Sequence, residues 1–193
     1  MKRKALTLLL AIVLGYGSFD VIAAHLPAHL NYVTEDGVSE ELCAYMDTYM
    51  AAIPPDAARL LVDGGWRIVL TSEDIATRFG FDYDTIAGVT VESARTIFIS
   101  ASKTRIRRAL LHEVGHALGI LLGDPDAGAE FQRIYAAERE TFDQQEKIDD
   151  HCVSTAHEYF AEAYRHYVLY PDILRQSAPQ TYAYFQVLFS EIS

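Results

Sequence analysis

The segment His112-Glu113-Val114-Gly115-His116 constrains this chain more than any other, because its residues act together only on a helix. Residues four apart on a helix lie about 40° apart around the axis, so His112 and His116 can meet one ion while Glu113 leans into the same cleft. The flanking residues supply that helix. Ile106, Leu110, Val114, Ala117, Leu118 and Leu121 form an apolar stripe at helical spacing between Thr104 and Leu122. The histidines lie away from the stripe, among small neighbours such as Ala109 and Gly119 that leave room for an ion and a second layer of protein. Neutral imidazoles suit Zn²⁺, an open coordination position admits water, and a carboxylate takes the water's proton as it attacks a carbonyl. Glu113 is the candidate base. A bare HExxH also arises by chance on ordinary amphipathic helices, so the reading depends on a third ligand.

Downstream, a helix is expected from near Ser154 to just before Pro171, with its apolar stripe at Phe160, Ala163, Tyr164, Tyr167 and Val168. Glu158 and Glu162 fall opposite that stripe, which by periodicity alone describes a solvated acidic face. Two helices that each carry metal-competent residues away from their apolar stripes can instead meet across a cleft. Glu158 would then be the third ligand, and Glu162, one turn later, would hydrogen-bond a ligating imidazole.

The combination of HEVGH, then Glu158-Tyr159-Phe160-Ala161-Glu162-Ala163-Tyr164, then Ala178-Pro179-Gln180-Thr181-Tyr182 resembles the catalytic domain of anthrax lethal factor and the related secreted Pro-Pro endopeptidases. These are gluzincin-type zinc metalloendopeptidases, and the resemblance covers roughly residues 60–193. It implies an α+β, zincin-like single domain, with a small mixed sheet packed on the HExxH helix and a mostly helical C-terminal half. It also implies one Zn²⁺ held by His112, His116 and Glu158, with Glu113 as general base and Glu162 orienting a ligating histidine. The strand before the metal helix, here Thr96 to Ser100, would line the cleft and pair with an extended peptide or protein substrate.

One position departs from the family. A tyrosine expected seven residues before the ligand glutamate, where its hydroxyl steadies the oxyanion, is replaced by His151. An imidazole can donate the same hydrogen bond. The alternatives are a loop histidine with activity lost, or a hydroxyl supplied by Tyr164 or Tyr167. A protein of this kind that binds zinc and recognises a partner without cutting it is the rival function. His157 and His166 are expected at the surface or at a helix terminus.

The N-terminus is different in kind: Lys2-Arg3-Lys4, an apolar run from Ala5 to Leu14, then small residues ending at Ala23 and Ala24. This is the layout of a secretory signal peptide, residues 1–23, and the run is short for a membrane span. Residues 24–193 would form the exported domain, with no stable membrane span after cleavage, carrying 13 bases against 26 acids and a net charge of −13. Nucleic acid and anionic lipid are therefore excluded as expected partners. Arg105, Arg107 and Arg108 are read as a solvated or acid-paired face.

Cys43 and Cys152 are either one disulfide closing a loop of roughly a hundred residues, worth about 4–5 kcal/mol, or two separate buried thiols. Their spacing argues against zinc ligation.

The remaining elements follow from caps and breakers. Leu26 to Gly37 reads as an irregular arm, Ser39 caps a helix ended by Pro54-Pro55, and a short helix runs from Ser72-Glu73-Asp74 toward Phe79. Strands are expected at Trp66 to Thr71, Ile86 to Val91 and Thr96 to Ser100. Further helices are expected from about Ala129 to Gln145 and from about Pro179 to Ile192.

Overall fold

The computed structural model describes residues 30–82, 86–146 and 150–191, so the signal-peptide expectation for residues 1–23 lies outside the described residues. Four strands, β1 (Tyr32–Thr34), β2 (Arg67–Thr71), β3 (Gly88–Val91) and β4 (Thr96–Ser100), form one mixed sheet in the order β1-β2-β4-β3. β1, β2 and β4 run parallel, with Tyr32 opposite Ile68 and Val69 opposite Phe98; β3 joins β4 antiparallel, with Val89 opposite Phe98.

Strand alternation gives the sheet two covered faces. Ile68, Leu70, Ile97 and Ile99 enter the main core, while Val69 and Phe98 turn the other way against Ile75 and Phe79 of α3 (Ile75–Phe79). The main core is filled by α4 (Lys103–Leu121), which lies between the sheet and α6 (Ala156–Leu169). α4 starts at Ser102, whose hydroxyl accepts from the Arg105 amide, and α6 at Thr155, whose hydroxyl accepts from the Glu158 amide. The crossing of α4 and α6 is close because Gly115 has no side chain. A Cβ there would lie 2.8 Å from Ala161 Cα and 3.0 Å from its carbonyl oxygen.

The C-terminal half is helical, as expected. α5 (Ala129–Glu146) and α8 (Pro179–Ser190) pack their aromatic residues on α6, with Phe131 against Tyr159, Phe160 and Phe185, and Phe185 against Phe160. Buried Glu138 of α5 accepts from the backbone amides of Gln180 and Thr181 and from the Thr181 hydroxyl, which holds the positive N-terminus of α8 on a carboxylate. The Gln180-Thr181 part of the sequence signature is thus a helix dock.

Three elements differ from the sequence reading. The N-terminal arm contains β1, which is too short to show a pattern and exists through its pairing with β2. α1 (Glu40–Met50) ends at the Ala51 cap, ahead of Pro54-Pro55; Pro55 begins α2 (Pro55–Asp63), and Pro171 begins α7 (Pro171–Ser177). Proline is favoured in the first helical turn, so each of these breakers is also a start signal. Among the described residues no helix is long and apolar enough to cross a membrane.

Candidate metal centre

α4 presents His112, Glu113 and His116, all buried. α6 faces them with Glu158 and Glu162. His112 Nε2 is 3.2 Å from Glu158 Oε2 and His116 Nε2 is 3.5 Å from the same oxygen. Two atoms bonded tetrahedrally to zinc, each about 2.0–2.2 Å from it, stand roughly 3.3–3.5 Å apart. The ligand atoms of His112, His116 and Glu158 all lie within 4.8 Å of one another, and two imidazoles with one carboxylate are the donor chemistry zinc favours, so these residues fit the ion.

Glu162 is not on a solvated face. It is 4% exposed and accepts from His112 Nδ1 at 3.0 Å, while Arg165 donates to both its oxygens at 2.6–3.1 Å. The periodicity of α6 missed this because the helix is covered on both sides, by α4 and by the α5–α8 layer. Burial opposes the Glu162 charge, but the His112 hydrogen bond and the Arg165 guanidinium overcome it and hold the carboxyl down at about 2. Burial likewise opposes a charge on His112, and the hydrogen bonds to Glu158 and Glu162 outweigh it, pushing that imidazole up to about 10. Glu158 is held well below the usual carboxylate range by its two histidine partners against the cost of burial. In the metal-free protein a proton on His112 therefore balances the acids.

Glu113 is held from the sheet side. Thr90 Oγ1 lies 2.8 Å from Glu113 Oε2 and 3.0 Å from the Glu113 carbonyl, a hydroxyl poised to donate to either oxygen. Gly88, two residues earlier on the same face of β3, passes so close that a Cβ would stand 2.8 Å from Glu113 Cγ and 2.9 Å from Ala109 Cβ. Neither residue stood out in the sequence, since an isolated Gly and Thr in a short strand carry no signal beyond β-propensity.

β3, not β4, is the strand at the cleft. β4 is hydrogen-bonded on both sides, to β2 and β3, so the expectation that Thr96 to Ser100 pairs with a peptide is corrected. Among the described residues only β1 and β3 have an unpaired edge, and β3 is the one beside Glu113.

His151 sits in a 3₁₀ turn, Asp150–Val153, that leads into α6, with Nε2 3.7 Å from Glu158 Oε2 and its side chain 69% exposed. The tyrosine alternatives are not at the cleft. Tyr164 is fully buried against Phe189, and Tyr167 packs on Tyr182, Phe185 and Phe189. Cys43 and Cys152 are both thiols, so no disulfide links them. Cys152 comes within 4.8 Å of ligand atoms of His112 and Glu162, but Glu162 is already committed to Arg165 and His112 Nδ1, which makes this trio the poorer metal site.

The two remaining described histidines lie where they were expected, one in the last turn of a helix and one at the surface, but each makes contacts the sequence did not show. His166 is in the last turn of α6, as read, but is buried, with Nδ1 donating to the Glu162 carbonyl at 3.0 Å and its ring edge-on to Phe142. Burial and the neighbouring Arg165 lower its pKa and favour the neutral ring. His157 is half exposed, yet its ring stacks on His116 at 4.3 Å and its Nδ1 donates to Asp126 at 3.2 Å.

An α+β fold of this topology with two histidines and a glutamate converging across a helix crossing is of the zincin type. Residues 72–188 match the family model described as anthrax toxin lethal factor, N- and C-terminal domain, and the chain belongs to that family. Among solved structures it is similar to the Pro-Pro endopeptidase PPEP-2 from Paenibacillus alvei, with 23% sequence identity over 81% of this chain and 96% of that one and a TM-score of 0.64. No curated protein sequence matches the chain at a significant level.

Proposed function

We propose that the protein is an exported zinc metalloendopeptidase that hydrolyses peptide bonds in extended substrates. The observation that carries this reading is the convergence of His112, His116 and Glu158 beside a buried carboxylate, Glu113, under the open edge of β3. Family membership and the endopeptidase whose fold it shares support the same class. His112 and His116 would give Nε2 to the ion and Glu158 one oxygen, while Glu162 accepts a hydrogen bond from His112 Nδ1–H and fixes its tautomer. Zinc held there supplies Lewis-acid polarisation of the scissile carbonyl and lowers the pKa of water.

The other steps belong to the chain. A peptide or protein substrate pairs in extended form with the edge of β3, which sets its carbonyl above α4. Glu113, steadied by Thr90, takes the proton of the attacking water and returns it to the leaving amine. His151, exposed at the rim, donates a hydrogen bond to the developing oxyanion. Export is supported by the basic, apolar and small-residue layout of residues 1–23, which gives the mature domain as 24–193.

The test is digestion of a diverse peptide library by the wild type, with Glu113→Ala as control and elemental analysis of both. Zinc near one per molecule in both proteins and turnover in the wild type alone are expected. A Glu113→Ala protein that digests peptide at the wild-type rate ends the reading. A second reading, a zinc-binding protein that recognises a partner without cutting it, is favoured by one observation, the histidine in place of the family tyrosine. Loss of turnover in His151→Phe supports catalysis through His151, whereas a zinc-loaded wild type with no turnover supports the binding protein.

A further inference from the structure

His112 and His116 are equivalent in the motif but not in their surroundings. His112 Nδ1 donates to Glu162, whereas His116 Nδ1 is buried and has no hydrogen-bond partner among the described residues. An imidazole that gives Nε2 to a metal carries its proton on Nδ1, and a buried N–H without an acceptor costs about 1–3 kcal/mol. Oδ1 of Asp126, itself a buried residue, is likewise without a hydrogen-bond partner among the described residues.

The two residues are joined by His157. Its ring lies on His116, with centroids 4.3 Å apart and planes 29° apart, and its Nδ1 donates to the other oxygen of Asp126 at 3.2 Å. Asp126 is held by its own turn. Asp124 adopts a left-handed conformation, Pro125 follows it, and Gln132 Nε2 donates to the Asp126 carbonyl at 2.8 Å. Gly119, one turn after His116 on α4, leaves the space: Asp126 Oδ1 stands 3.9 Å from where a Cβ would be.

We infer that Asp126 and His157 are the positioning residues for His116. Asp126 Oδ1 accepts a hydrogen bond from His116 Nδ1–H in the metal-loaded protein, and the Asp126-tethered ring of His157 fixes the His116 ring plane. The inference rests on the reading of His116 as a zinc ligand. It assigns this second ligand an acceptor from the turn after α4, where the first takes its own from α6.

The experiment is zinc affinity by competition with a chromogenic chelator at fixed pH, beside the melting temperature of the metal-free protein. The variants are Asp126→Ala, Asp126→Asn, His157→Phe and His116→Ala. Asp126→Ala should weaken zinc by about 10- to 100-fold. Asp126→Asn, which keeps an acceptor oxygen, should recover part of that loss. His157→Phe, which keeps the stack and loses the tether, should weaken zinc several-fold. None of the three should move the metal-free melting temperature in proportion.

Zinc affinity within twofold of wild type for Asp126→Ala overturns the inference. Should that variant not fold, the same result for both Asp126→Asn and His157→Phe overturns it. A wild type without zinc, or a His116→Ala protein that binds zinc as tightly as wild type, overturns the ligand reading as well, so the two failures are distinguishable.

Discussion

The two sides of α4 do different work. On the sheet side, β3 holds Glu113 through the Thr90 hydroxyl and the missing side chain of Gly88. On the helical side, α6 brings Glu158 to both histidines and Glu162 to one of them, across the crossing at Gly115. The proposed base is therefore built from a sheet edge and the proposed metal site from a helix pair, with a single helix joining them. A division of this kind separates turnover from metal affinity, and substitutions on the two sides should separate them too.

The largest contrast is between Glu158→Ala and Glu113→Ala. The first should lose zinc at micromolar metal, and the second should keep it while turnover falls by about 10²- to 10⁴-fold. Metal content and peptide kinetics on the same preparations decide it, and loss of zinc from both would erase the division. Gly115→Val comes next. Its side chain has no space against the Ala161 backbone, so the helix pair must part, at a cost of about 1–3 kcal/mol or more in denaturant unfolding. An unchanged unfolding midpoint would mean that the crossing is not close.

On the sheet side, Thr90→Val keeps the shape and removes the donor. It should lower kcat by roughly five- to tenfold, about one hydrogen bond, with zinc affinity unchanged. A fall in zinc affinity instead would place Thr90 in the metal half.

The same division should show in pH dependence. His112 in the metal-free protein is raised from 6.5 to about 10, so its contribution is fully present below pH 6.5 and is lost as pH rises toward 10. Glu162 is lowered from 4.5 to about 2, so its contribution is present above pH 4.5 and is lost as pH falls toward 2. Zinc must displace the His112 proton, so its stabilisation should grow with pH. Melting curves with and without zinc from pH 6 to 10 should therefore diverge, and parallel curves would contradict the assignment of His112.

Much of this was legible before folding, and the part that was not has a common cause. Helical spacing placed His112, Glu113 and His116 together, and Ser39 marked a helix start, whereas the caps Ser102 and Thr155 came only from the structure. Periodicity failed on α6, where it read Glu158 and Glu162 as solvated, because a helix packed on two sides has no single apolar stripe to report. Strand candidates were found, but which of them borders the cleft depends on sheet order, and order is a contact between distant segments. Asp126 lies in a turn, which has no period, and Thr90 on a four-residue edge strand whose residues are all partly buried, so alternation does not single it out.

By itself, the sequence determined what is local: which residues of α4 share a face, where helices begin, and that an HExxH motif is followed by two glutamates one turn apart. Only the tertiary structure decided that Glu162 is buried and Glu158 partly buried against the histidines, that β3 and not β4 is the open edge, and that His157, held by Asp126, stacks on His116. The reason is physical. Spacing along one helix follows from backbone geometry, whereas a site shared by α4, α6, β3 and the Asp124–Ala127 turn exists only once burial of the common core has brought them together.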